Sequence, residues 1–181
     1  MANDNTPERV LELARGELGA ASGDKYIRYY NGITGIGLPY GVAWCAAWVT
    51  WVMRHAGVPV DSVLNYKGCA TASDWFEARG RFRSRKSGYV PKPGDIIMYE
   101  WNPEDEGTPY DDGDDHTGIV EYVEDGIVHT IEGNNGGQCR RDWWSLSNSY
   151  ISGYCVPLYN MENKKEEPDL TEAEARKIAR G

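Results

Sequence analysis

The chain is short of basic residues. Lys and Arg number 19 against 28 Asp and Glu, a net charge of -9, which excludes nucleic acid as a partner because phosphate contacts need a cationic face. No run reaches the roughly 18 apolar residues of a membrane-spanning helix, so no insertion into a membrane is expected. The first six residues, Met1 to Thr6, lack both a basic start and an apolar core, so no secretory signal is expected and the product begins in the cytoplasm. Cysteine is limited to Cys45, Cys69, Cys139 and Cys155, with no C-x-x-C pair. That argues against zinc and for free thiols. Only three histidines occur, so each can be weighed separately.

Aromatic residues are plentiful. Seven Trp and twelve Tyr in 181 residues speak for one packed globular domain with short tails. Thr6-Pro7-Glu8 reads as a helix start, with a cap, a proline in the first turn and an acid beside it. Residues 20–43 carry five glycines and a Tyr-rich patch and read as a long loop serving the segment that follows. There an apolar helical run begins at about Trp44, which places Cys45 in a first helical turn. Unpaired N–H groups and the helix dipole favour a thiolate at that position. By itself Cys45 fits a small buried hydrophobe equally well.

Further on, Thr71–Arg79 reads as a helix and Ile96–Trp101 as a strand launched by the turn Pro93-Gly94-Asp95. Arg79–Lys92 holds six basic residues and no acid, and reads as a solvated face. Glu100–Asp115 holds eight acids and no base. This acidic loop lacks the spacing of an EF-hand, and solvated carboxylates are its simplest reading. Short strands are expected around Trp143–Trp144 and over Ile151–Leu158. Residues 160–181 read as a charged linker and the start of a helix, with Thr171 and Glu174 forming a capping box, and could lead to a separate wall-binding module.

A cysteine nucleophile needs a base in reach and a third group to hold the base. His55 lies ten residues along the Cys45 helix, about 15 Å away at 1.5 Å per residue, and is excluded. His116 and His129 fall on the two arms of a hairpin, His116–Val123 and Ile127–Glu132. A three-residue Glu124-Asp125-Gly126 loop would pair Val120 with Thr130 and Gly118 with Glu132, putting His116, Glu132 and Asn134 on one face and His129 on the other. A two-residue Asp125-Gly126 loop would separate His116 from Glu132. The catalytic reading therefore requires the longer loop, or the polar face is merely a solvated edge.

Trp44-Cys45-Ala46-Ala47-Trp48-Val49, Lys92-Pro93-Gly94-Asp95-Ile96, His116-Thr117-Gly118-Ile119-Val120 and Ile131-Glu132-Gly133-Asn134, in this order, resemble the CHAP domain. That name denotes a cysteine- and histidine-dependent amidohydrolase/peptidase of the papain-like group. The likeness runs over about residues 6–158. It implies an α+β fold, with the nucleophile helix packed on an antiparallel β-sheet, and cleavage of an amide bond in bacterial peptidoglycan. Cys45, His116 and Glu132 match the family's catalytic positions, and Asn134 its frequent fourth polar residue. Tyr26, Tyr29, Tyr40, Trp44 and Trp143 are candidate groove walls. Some members carry a calcium-binding Asp-rich segment before the cysteine, but Lys25–Ala43 has no acid, so neither metal nor cofactor is expected.

The implied activity is that of a phage endolysin, acting on the wall after release and most readily as an N-acetylmuramoyl-L-alanine amidase. A stem or cross-bridge endopeptidase, an injected antibacterial effector and a catalytically inactive wall-binding module are the alternatives.

Overall fold

A computed structural model describes residues 4–108 and 111–160. Within them four helices, α1 (Pro7–Gly16), α2 (Asp24–Thr34), α3 (Cys45–His55) and α4 (Cys69–Glu77), precede the sheet. Six strands follow: β1 (Phe82–Ser84), β2 (Ile96–Tyr99), β3 (His116–Glu124), β4 (Ile127–Asn135), β5 (Gln138–Ser145) and β6 (Ile151–Cys155). They form one antiparallel sheet in the order β1-β6-β2-β3-β4-β5. The fold is thus α+β with the Cys45 helix laid across β3 and β4. The expected linker and capping box at 171–174 lie outside the described residues.

One core lies between the helices and the sheet, where Trp48, Val49, Val52, Ile96, Met98, Ile119 and Ile131 are all fully buried. Trp48 reaches the strands because β4 has no side chain at Gly133. A Cβ there would meet the Trp48 ring at 2.5 Å. A second core, with Ile97, Tyr99, Val120, Val128, Ile151 and Tyr154, covers the opposite face.

Residues 20–43 are not wholly a loop. Asp24–Thr34 is helical and buries Tyr26, Ile27 and Tyr30. The i, i+1, i+4 spacing of those three side chains is a helical stripe that the surrounding glycines mask. Another departure is β1, which lies inside the basic run. Its neighbour Arg81 donates to the carbonyls of Asp61, Ser62 and Val156, so part of that run braces loops instead of facing solvent.

The β3–β4 hairpin closes one residue tighter than the catalytic reading required. Glu124 pairs with Ile127 across a two-residue turn, with Asp125 at φ 50° and Gly126 at φ 75°, the backbone of a type I′ connection. The side chains nevertheless face as the longer loop would place them. A bulge at Glu121 shifts the register between Val120 and Tyr122, so Val120 pairs with Thr130 and Ile119 with Ile131. The buried Glu121 carboxylate holds this irregularity, accepting from Arg15 of α1 at 2.7 Å and from Arg141 of β5 at 2.8 and 3.0 Å. Beyond the bulge, His116 and Glu132 share a face while His129 lies on the other, stacked on Tyr122 at 4.2 Å.

Candidate active site

Cys45 is the first residue of α3, and no side chain caps this helix. Its opening N–H groups are therefore free to face the site. The Cys45 thiol hydrogen bonds to Cys69, to His116 and to the Ala46 N–H. Cys69 and Asp115 come to the site from elsewhere in the chain: Cys69 opens α4 and acts on the Cys45 thiol, and the acidic loop delivers Asp115 to the cleft wall beside His116.

His116 begins β3, and its Nε2 lies 2.8 Å from Glu132 Oε2. With that nitrogen engaged, Nδ1 is left for the sulfur. The Glu132 carboxylate is held from several sides. Tyr99 Oη donates to Oε1 at 2.5 Å and Thr130 Oγ1 to the same oxygen at 2.7 Å. Asn135 Nδ2 donates to Oε2 at 3.0 Å. Glu132 reaches His116 across Gly118, where a Cβ would sit 2.6 Å from its Cγ. That glycine opens the path between base and carboxylate.

The electrostatics follow from these contacts. The hydrogen bond from Cys69 is the largest influence on Cys45. Together with His116 and the Ala46 N–H it outweighs burial and holds the thiol well below its ordinary range. Burial opposes a charge on His116, yet Cys45 and Glu132 prevail and push it up to about 10. Burial likewise opposes ionised Glu132, but His116, Tyr99 and Thr130 keep it below the usual carboxylate range. The arrangement favours a thiolate–imidazolium pair steadied by a carboxylate.

The three groups open onto a cleft of about 290 Å³, with Trp101 and Trp144 among its walls. Trp101 stacks near the His116 ring, centroids 5.9 Å apart. The aromatic residues expected to line the groove lie elsewhere. Tyr26 is buried and stacks on the equally buried Trp44 at 5.3 Å. Tyr29 packs against His55, Tyr40 is exposed beside Arg28, and Trp143 pairs with His129, away from the cleft, and is 67% exposed. Strand parity decides the last case. Trp143 and Trp144 point to opposite faces, and it is Trp144 that turns toward the site.

Asn134 lines the cleft in a left-handed conformation, φ 58°. A second register shift, between Glu132 and Asn135, passes the contact with Glu132 to Asn135 instead. No sequence signal marks that shift except the Gly136-Gly137 turn beyond it. Among the described residues, Glu100, Asp112 and Asp115 form a cluster able to hold a cation, their carboxylate oxygens within 4.8 Å of one another. Burial, followed by the charges of Asp115 and Asp112, pushes Glu100 up to about 7 despite the Asn102 N–H it accepts.

Comparison with known proteins bears on the fold and the family. No curated protein sequence matches the chain. Among solved structures, Ly7917 with the hydrolyzing product of MDP is similar at TM-score 0.50 and 19% identity, covering 84% of this chain and 63% of that one. Ly7917 alone gives TM-score 0.47 at 20% identity over 84% and 62%. PlyC gives 0.42 at 20% identity over 72% and 35%. The chain thus spans less than two thirds of each of these proteins. The model of the CHAP domain matches residues 37–134, from just before α3 to the last residues of β4. The chain belongs to the CHAP domain family.

Proposed function

We propose that this domain is a peptidoglycan hydrolase that cleaves an amide bond through a Cys45 thioester, most readily the bond between the muramoyl lactyl group and the first alanine of the stem peptide. The observation that carries this reading is the chain of contacts Cys45–His116–Glu132 at the floor of an indole-walled cleft. Cys45 Sγ attacks the amide carbonyl. The oxyanion forms beside the uncapped start of α3, where the Cys45 N–H is the natural donor. His116, already protonated by the pairing, gives its proton to the leaving amine, and Glu132 keeps the ring oriented. His116 then acts as the base for the water that hydrolyses the thioester.

Trp101 and Trp144 favour the amidase over a stem or bridge endopeptidase. Flat indole faces next to the nucleophile suit the apolar face of a sugar ring carrying the scissile amide. Mass spectrometry of digested, purified cell walls tests the proposal. A new muramoyl lactyl carboxylate with a free alanine amine is expected. A new amine confined to the stem or bridge would replace the amidase with an endopeptidase. A digest unchanged in mass would overturn hydrolysis altogether and leave a wall-binding module.

A further inference from the structure

The mechanism needs one cysteine, yet two meet at the site. Cys45 opens α3 and Cys69 opens α4. Both are free and buried, at 5% and 6% exposure, and their thiols are hydrogen bonded to each other. The start of α4 is fixed in place. Ser73 donates to Asp114, and Gly113 lies so close to Ala70 that a Cβ would meet it at 2.7 Å. Those two loop residues lie three and two positions before His116, so the segment that delivers the base also anchors the start of α4, where Cys69 stands.

We propose that Cys45 and Cys69 constitute a modification site for peroxides, closing into a reversible disulfide that masks the nucleophile. Cys45 is the attacking member. Its thiolate is stabilised by the Cys69 donor, whereas that hydrogen bond and burial push Cys69 upward and keep it protonated. The Cys45 thiolate attacks one oxygen of hydrogen peroxide. The S–O bond forms, the O–O bond breaks, and the departing hydroxide takes the His116 proton to become water. Cys69 sulfur then attacks the sulfenic sulfur of Cys45. An S–S bond forms, the S–O bond breaks, and the hydroxide leaves as water with the Cys69 proton. The two sulfurs lose one electron each and the peroxide gains both. Closure brings the two sulfurs to a bond length of about 2 Å. Cys139 on β5 and Cys155 on β6 are not among the main groups acting on the Cys45 thiol, whereas Cys69 is the first of them, so neither competes.

The test reads thiols, not wall cleavage, so it stands or falls separately from the hydrolase reading. The native protein is treated with a several-fold molar excess of hydrogen peroxide, enough to carry an unprotected thiolate past the sulfenic acid, then alkylated with iodoacetamide, digested with trypsin and analysed by mass spectrometry. The expected product joins residues 29–54 to residues 68–79, each carrying a single cysteine, and dithiothreitol restores both thiols. Recovery of Cys45 as a sulfinic or sulfonic acid, with Cys69 fully alkylated, would overturn the proposal. In Cys69→Ser the same treatment is expected to oxidise Cys45 beyond recovery by dithiothreitol. Recovery in that variant equal to the native protein would also overturn it.

Discussion

Gly118→Ala perturbs the site without altering any group that carries charge or protons. The added Cβ would lie 2.6 Å from Glu132 Cγ, whereas ordinary contact begins at 3.4 Å, and 3.2 Å from the Ile131 carbonyl oxygen. Glu132 must therefore retreat by about 0.8 Å, and four donors resist that movement. A shift of that size along the His116 contact stretches 2.8 Å past the usual limit of about 3.2 Å for such a bond. Misplacement on this scale costs roughly 100-fold in rate, or about 2.7 kcal/mol in the barrier. Overpacking should remove about 1–3 kcal/mol of stability. Initial rates of clearing of purified cell walls measure the first effect, and urea unfolding the second. A variant that clears walls at the native rate would refute the claim that Glu132 must reach His116 across an empty position.

Other perturbations separate the roles further. Cys45→Ala should abolish wall cleavage while leaving the unfolding transition within about 1 kcal/mol of native, checked by product release and urea titration. Glu132→Gln keeps the shape but removes the charge that helps raise His116; wall cleavage should fall at least about 100-fold, with the alkaline limb of its pH profile moved to lower pH. In the native protein, cleavage should rise as pH passes the depressed Cys45 range, because thiolate forms there. It should fall as pH passes about 10, because His116 loses its proton. Cys69→Ala removes the largest influence on Cys45, so the onset of iodoacetamide alkylation at Cys45 should move to higher pH. Trp101→Ala and Trp144→Ala should raise KM for soluble wall fragments about tenfold with kcat less affected, as expected for walls that bind without reacting.

Much of this was legible in the sequence because the signals were local. The glycine-to-apolar switch before Cys45 marks a helix start, and alternation along 116–123 and 127–132 marks a hairpin. Thr130 was legible too, since it stands two residues before Glu132 on the same strand and must share its face. The supports from elsewhere in the chain were not. Tyr99 meets Glu132 only because β2 pairs with β3, and Cys69 meets Cys45 only because two helix starts converge. The walls Trp101 and Trp144 were obscured by the number of aromatic residues, most of which serve the cores. The hairpin is the sharpest case. Its turn residues favour the tight Asp125-Gly126 closure, and what offsets that closure is a buried carboxylate tied to α1 and β5, a long-range cause that local pattern does not carry.

The extra residue at Glu121 works as a parity inverter. Upstream of it, odd and even positions trade sides relative to what the turn dictates, and the imidazole sits on the traded side. Lengthening or trimming β3 between position 121 and His116 in steps of two should be tolerated far better than a change of one, which would send the base to the back of the sheet. Loss of the single stagger demands a compensating residue in the tip itself. The tip and the distant Arg15–Glu121–Arg141 clasp are therefore tied as one counting device, and loop grafts at the tip must keep that count.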